Sequence, residues 1–193
     1  MVDGVEGIRV GRQRGSPEPK ERPTMTEGPF RAQIDEHEAV RAAVRQLDER
    51  YNPHPRPSTG ISTPAKPAVL PKDALRNLRW QLFYLLEGVT GHFTRDEAVV
   101  FSQVNAATRK VIEAEHEGIR KEVESALALV TRMAEAAGTE TDMVRDTAEI
   151  GRKMHRLREL IEAHTTREDA IMREAIKAGR TVAAPNGIEY QVH

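Results

Sequence analysis

Residues 36–41 read EHEAVR and residues 115–120 read EHEGIR; residues 91–98 read GHFTRDEA and residues 163–170 read AHTTREDA. The chain repeats itself, and the repeated words are polar. Around them, apolar residues recur at alternating steps of three and four, the period of a helix with one buried face. A first helix is expected over about 31–51, with His37, Val40, Val44, Leu47 and Tyr51 in register. The second runs over about 73–103, through Leu75, Leu78, Leu82, Val89, His92, Asp96 and Val99. The third covers about 106–137 (Ile112, His116, Ile119, Val123, Val130, Met133), and the fourth about 142–178 (Ile150, Met154, Leu157, Ile161, His164, Glu168, Ile171). Four such helices predict an all-α, antiparallel up-down-up-down four-helix bundle with an internal two-fold duplication. Gly138 is expected to end the third helix and Asp142 to cap the fourth.

The rest of the chain lacks this period. Residues 1–29 hold prolines, glycines and scattered charges and read as a disordered leader. Six prolines fall within 52–71, so that stretch is expected to be an extended connection inside a bundle domain spanning 30–179. Residues 180–193 form a tail, with a turn at Pro185–Gly187 and a β-type arm at Ile188–Val192.

Composition narrows the chemistry. The 29 Lys and Arg nearly cancel the 30 Asp and Glu without forming a basic stripe, so neither nucleic acid nor an anionic membrane is an expected partner. There is no apolar run of membrane-spanning length and no signal-like apolar region near the start, which leaves the cytoplasm as the expected location. The chain contains no cysteine, which excludes disulfides, thiolate metal sites, iron–sulfur clusters and cysteine nucleophiles.

What stands out is the set of polar residues inside the apolar stripes. Residues at i and i+4 are about 400° apart on a helix and share a face. His92 with Asp96, and His164 with Glu168, therefore both point inward. His92 lies about eleven residues before the end of its helix and His116 about ten after the start of the next, roughly 15–17 Å from their connection. In an up-down-up-down bundle His37 and His164 reach a comparable height. A single inward histidine is usually a satisfied core residue. Four at one level, with two ionisable acids whose burial without a partner is costly, imply a bound cation. Imidazole and carboxylate without thiolate suit iron or manganese, and less often zinc. Walls of Val40, Val89, Val99, Ile112, Ile119 and Ile161 suit a small ligand such as O2, NO or peroxide.

The four helices, the order EH…HFxx(D/E)(D/E)…EH…Hxxx(E/D) and the apolar surroundings resemble the hemerythrin-like (HHE cation-binding) family over about residues 31–178. The resemblance implies a non-haem centre of two iron ions with an oxo or hydroxo bridge. It makes His37, His92, His116 and His164 terminal ligands and Asp96 and Glu168 bridging ones. Two positions depart from the family. Oxygen-carrying members have a second histidine four residues from the third-helix one, where this chain has Ile112 and Arg120. Glu113, at i−3, could supply an oxygen instead; its repeat counterpart Ile34 is apolar, so the centre is expected to be asymmetric. The first bridging acid is Asp96 where Glu is usual. Both departures favour peroxide turnover, gas sensing or iron handling over reversible O2 carriage.

The remaining polar residues read as follows. Glu97 and Asp169, at i+5, lie about 140° from their histidines and are expected in solvent, with Asp169 retained as an alternative ligand because some family members use that position. Glu36, Glu38, Glu115 and Glu117 are either surface acids or holders of an imidazole N–H; the surface reading is preferred. Arg95 and Arg167 read as surface ion-pairing residues, and His155 as solvent-facing. The leading function is a di-iron protein that senses, stores or scavenges O2, NO or peroxide. A di-iron catalase or peroxidase is the alternative, disfavoured by the shortage of tyrosines (Tyr51 and Tyr84 in the bundle). A metal-free helical interaction module, docking through the proline-rich segment, is the third.

Overall fold

The computed structural model describes residues 28–52, 69–135 and 139–180. The leader (up to residue 27), most of the proline-rich connection, Gly138 and the C-terminal tail, with His54, His193 and the β-type arm, lie outside the described residues. Helix α1 spans Gly28–Tyr51, α2 Lys72–Val99, α3 Ala106–Glu135 and α4 Glu140–Lys177, with a 3₁₀ turn at Phe101–Gln103 between α2 and α3. There is no strand among the described residues. No described helix is long and apolar enough to cross a membrane.

The helix ends have local causes. α2 stops at Val99 rather than near residue 103, because Val100 and Phe101 turn inward and are buried. Asn105 then starts α3 by accepting a hydrogen bond from the Thr108 amide at 2.9 Å. At α4 the cap is Thr139, not Asp142: its hydroxyl accepts from the Asp142 amide at 3.2 Å and donates to the Asp142 carboxylate at 2.8 Å. Asp142 thus occupies the third position of a Thr-x-x-Asp capping arrangement.

Two apolar clusters form the core. The larger holds Val44, Leu47, Leu75, Leu78, Leu82, Val89, Ile119, Val123, Ile150, Met154, Leu157 and Ile161. The smaller holds Phe30, Val99, Val100, Phe101, Ile112, Met172 and Ala175. Fully burying side chains such as Leu75, Leu78 and Leu82 contributes about 1.5–3 kcal/mol each. Along α1 and α3 the chain passes from the smaller cluster to the larger, and along α2 and α4 it passes back. On α1, α3 and α4 the inward histidine lies between the two, and on α2 His92 sits between Val89 and Phe93 at the end of the larger one. The site is therefore a polar layer enclosed by apolar side chains on both sides.

α1 packs chiefly on α4, α2 on α3, and α3 on α4, whereas α1 and α2 touch little. At the end of α1 the backbone comes so near α4 that a Cβ on Gly151 would lie 2.9 Å from the Tyr51 carbonyl oxygen. Asp48, an acid buried beside that crossing, pairs with Arg158 at 2.9 Å and accepts from Asn52 at 3.0 Å. His155 is not simply solvated as expected: it is part-buried, with its Nδ1 3.4 Å from Asp48.

Candidate metal centre

His37, His92, Asp96, His116, His164 and Glu168 are all buried, 0–3% exposed. They form two overlapping groups. His37, His92, Asp96 and Glu168 offer one donor atom each within 4.8 Å of one another, and so do Asp96, His116, His164 and Glu168. The two carboxylates belong to both groups, and the four histidines divide two and two. His37 and His92 meet edge to face with ring centroids 4.7 Å apart at 77°, and His116 and His164 repeat that geometry with the same two values.

All four Nε2 atoms point to the shared carboxylates. His37 Nε2 is 3.3 Å and His164 Nε2 3.2 Å from Glu168 Oε2. His92 Nε2 is 3.0 Å from Asp96 Oδ2, and His116 Nε2 stands back at 3.7–3.8 Å from both acids. None of these nitrogens has a hydrogen-bond partner, and neither do Asp96 Oδ2 or the two Glu168 oxygens. Buried polar atoms are almost always satisfied. Seven orphaned donors aimed at one small volume match the need of cations for nitrogen and oxygen ligands, so the residues present fit a metal site.

The Nδ1 atoms explain how the rings are aimed. His92 Nδ1 is 3.3 Å from Glu36, which Arg95 holds from behind. His164 Nδ1 is 3.3 Å from Glu115, which Arg167 holds in the same way. His37 Nδ1 is 2.6 Å from Asp169, whose other oxygen takes a 3.0 Å hydrogen bond from Arg41. At His37 and His164 a carboxylate facing Nδ1 favours the proton there and turns the Nε2 lone pair inward, whereas at His92 the Gln33 amide nitrogen, 2.9 Å from Nδ1, competes with Glu36 for that atom. Glu36 and Glu115 are thus imidazole holders rather than surface acids, and Arg95 and Arg167 act between helices. Glu38 and Glu117 are exposed, as the surface reading expects.

Asp169 is not in solvent and belongs to neither donor group. It lies behind His37, because α4 packs against α1 as well as α3. Glu113 is exposed and also belongs to neither group, whereas Glu97 is exposed as expected. The asymmetry comes instead from Gln33, which the sequence reading passed over. Gln33 is 4% exposed; its amide nitrogen donates to Asp96 Oδ1 and lies 2.9 Å from His92 Nδ1. The repeat places Ile112 at the corresponding position, four residues before His116, and this could have marked residue 33 as a core position.

The carboxylates differ electrostatically. Burial and the charge of Glu168 push Asp96 up to about 10, while Glu168 is held well below the usual range because contacts from His116, His164 and His37 outweigh its burial. Without a cation the pair therefore favours keeping one proton between them, Asp96 being the partner pushed up. Burial lowers His92 and His116, favouring neutral, ligating imidazoles. Burial raises the pKa of Glu36, but His92 and Arg95 outweigh it and bring that carboxyl to about 2.

The chain matches the family model of the hemerythrin HHE cation-binding domain over residues 28–176. It belongs to the hemerythrin family. No curated protein and no solved structure gives a match. The hemerythrin match begins at the first residue of α1 and ends one residue before the last of α4, so it includes every member of both donor groups. The family is a cation-binding one, and this buried layer holds donor groups that could take a metal ion.

Proposed function

We propose that the hemerythrin domain holds two iron ions and engages O2, NO or peroxide as a sensor, store or scavenger. His37 and His92 would ligate one ion, His116 and His164 the other, with Asp96 and Glu168 spanning both. Manganese or zinc suits the donors less well. An iron pair bound there supplies redox chemistry and open coordination positions for a small ligand. The observation that carries this reading is the set of orphaned, inward Nε2 and carboxylate atoms in one buried layer. The alternating order of the two apolar clusters along the four helices supports an antiparallel up-down-up-down bundle built by duplication.

The chain's own groups do three things. Asp169, Glu36 and Glu115 hold three of the imidazoles in position. Asp96 releases its proton when a cation takes its place. Val89, Val99, Ile112, Ile119 and Ile161, all buried, keep water from the layer. A groove of about 540 Å3 between α1 and α2, lined by Ala39, Val40, Ala43, Leu85, Gly88 and Val89, comes nearest the layer at Glu36, the acid behind His92. Binding is favoured over turnover because Tyr51 lies in the larger apolar cluster and Tyr84 faces solvent, so neither stands beside the donors to relay electrons.

The test is iron content and the absorption spectrum of the full chain after anaerobic loading. About two irons per chain, with near-ultraviolet bands that change on adding O2, NO or peroxide, are expected. No bound iron would reject the reading. Sustained peroxide consumption would replace it with the enzymatic alternative.

A further inference from the structure

The two donor groups match in their inward atoms and differ in what lies behind them. Behind the α1/α2 group, His37 Nδ1 is held by Asp169 at 2.6 Å and Asp169 by Arg41. His92 is held by Glu36, and Asp96 Oδ1 is engaged by the Gln33 amide. Behind the α3/α4 group, only His164 is held, by Glu115. His116 Nδ1 is buried without a hydrogen-bond partner. Its ring is positioned by stacking on Phe93 instead, with centroids 3.9 Å apart at 12°. The counterparts of the missing holders are present in sequence but turned away: Glu97, which corresponds to Asp169, is exposed, and Arg120, which corresponds to Arg41, is bonded to Glu117 at 2.6 Å. Ile112 takes the place of Gln33.

We propose that the two ion positions are unequal, the α1/α2 position binding first and tightly and the α3/α4 position binding second and exchanging readily. The inference rests on the two-ion reading above. Its physical basis is that partners behind a ligating histidine fix ring orientation before the ion arrives and raise the basicity of the ring. Losing such a partner typically weakens metal affinity by about 10–100-fold. His116 lacks that partner, and the orphaned Nδ1 is desolvated in both the metal-free and the loaded state.

The experiment is calorimetric titration of the metal-free full chain with Co(II), followed in parallel by the cobalt absorption bands. Two steps separated by about 10–100-fold in affinity are expected. Asp169→Asn and Glu36→Gln should each weaken the first step towards the second and leave the second unchanged; Glu115→Gln should weaken the second alone. Helix content by circular dichroism shows whether each variant is folded. Should Asp169→Asn fail to fold, Glu36→Gln tests the same point at His92. Two equal steps, or an Asp169→Asn effect confined to the weaker step, would overturn the inequality. Binding of fewer than two cobalt ions would instead overturn the two-ion reading beneath it.

Discussion

At the α1/α2 position three polar contacts stand behind the donors, from Asp169, Glu36 and Gln33. At the α3/α4 position there is one, from Glu115, and an aromatic ring, Phe93, does the rest. The inward atoms of the two groups nevertheless repeat closely, down to the angle between paired imidazoles. A cation constrains the atoms it touches far more strictly than the groups that position them. In the repeated sequence the histidines and the acids at i+4 stay, whereas Asp169 is matched by Glu97, Gln33 by Ile112 and Thr165 by Phe93.

Four measurements would break or sharpen this contrast. The largest effect should come from Glu168→Ala, which removes the oxygens nearest the Nε2 atoms of His37, His116 and His164: iron per chain is expected to fall from two to none, and one retained iron would show that the positions do not share this acid. The next concerns acidity. Metal-free protein binds a proton at Asp96 (about 10 folded, against an ordinary 3.8) that the unfolded chain releases. Between about pH 7.5 and 9.5 the lowered Glu36 and Glu168 are ionised, and the lowered His92 and His116 neutral, in both states. The folded state then holds the extra proton, so stability should fall as pH rises, by up to about 1.4 kcal/mol per unit. Iron bound as proposed would displace that proton, so denaturation midpoints of the loaded protein should lose this dependence; a metal-free midpoint that is flat over the same window would contradict the shared-proton arrangement.

Smaller still are the paired substitutions Glu36→Gln and Glu115→Gln. Each loosens one histidine in the same way, so each should weaken its own position about tenfold in a stepwise metal titration. A large difference between them would show that the Arg95 and Arg167 pairs are not equivalent. The smallest effect belongs to Glu97→Gln and Glu113→Gln. Both side chains are exposed, and neither metal content nor stability should change beyond about 0.5 kcal/mol.

The helices and the inward histidines were legible because both obey the 3.6-residue period that burial imposes on a single helix. The residues that escaped the sequence reading are defined by a second helix. Glu36 adjoins His37 in sequence yet serves His92 on α2, and Asp169 adjoins Glu168 yet serves His37 on α1. α4 buries more of its circumference than one stripe, since it packs on both α1 and α3, and so a residue rotated 140° from the inward face is still enclosed. Gln33 and Asp48 were overlooked for a different reason: a polar side chain is ordinarily read as solvated, and only its partners across the bundle (Asp96 and Arg158) make its burial tolerable.

The Glu36–Arg95 and Glu115–Arg167 pairs have a consequence for how the enclosed layer communicates with its medium. Their side chains remain about a quarter to two-fifths exposed, while the imidazoles they hold are at most 2% exposed. Dissolved electrolyte cannot enter the polar layer, but it reaches these arginines, and at physiological ionic strength charges are screened over about 8 Å. Part-buried contact pairs are screened less than separated charges, so salt loosens each arginine's grip on its glutamate, and the glutamate's hold on the ring, only slightly. Through these two ion pairs a sealed centre remains weakly sensitive to the ionic composition of the water outside.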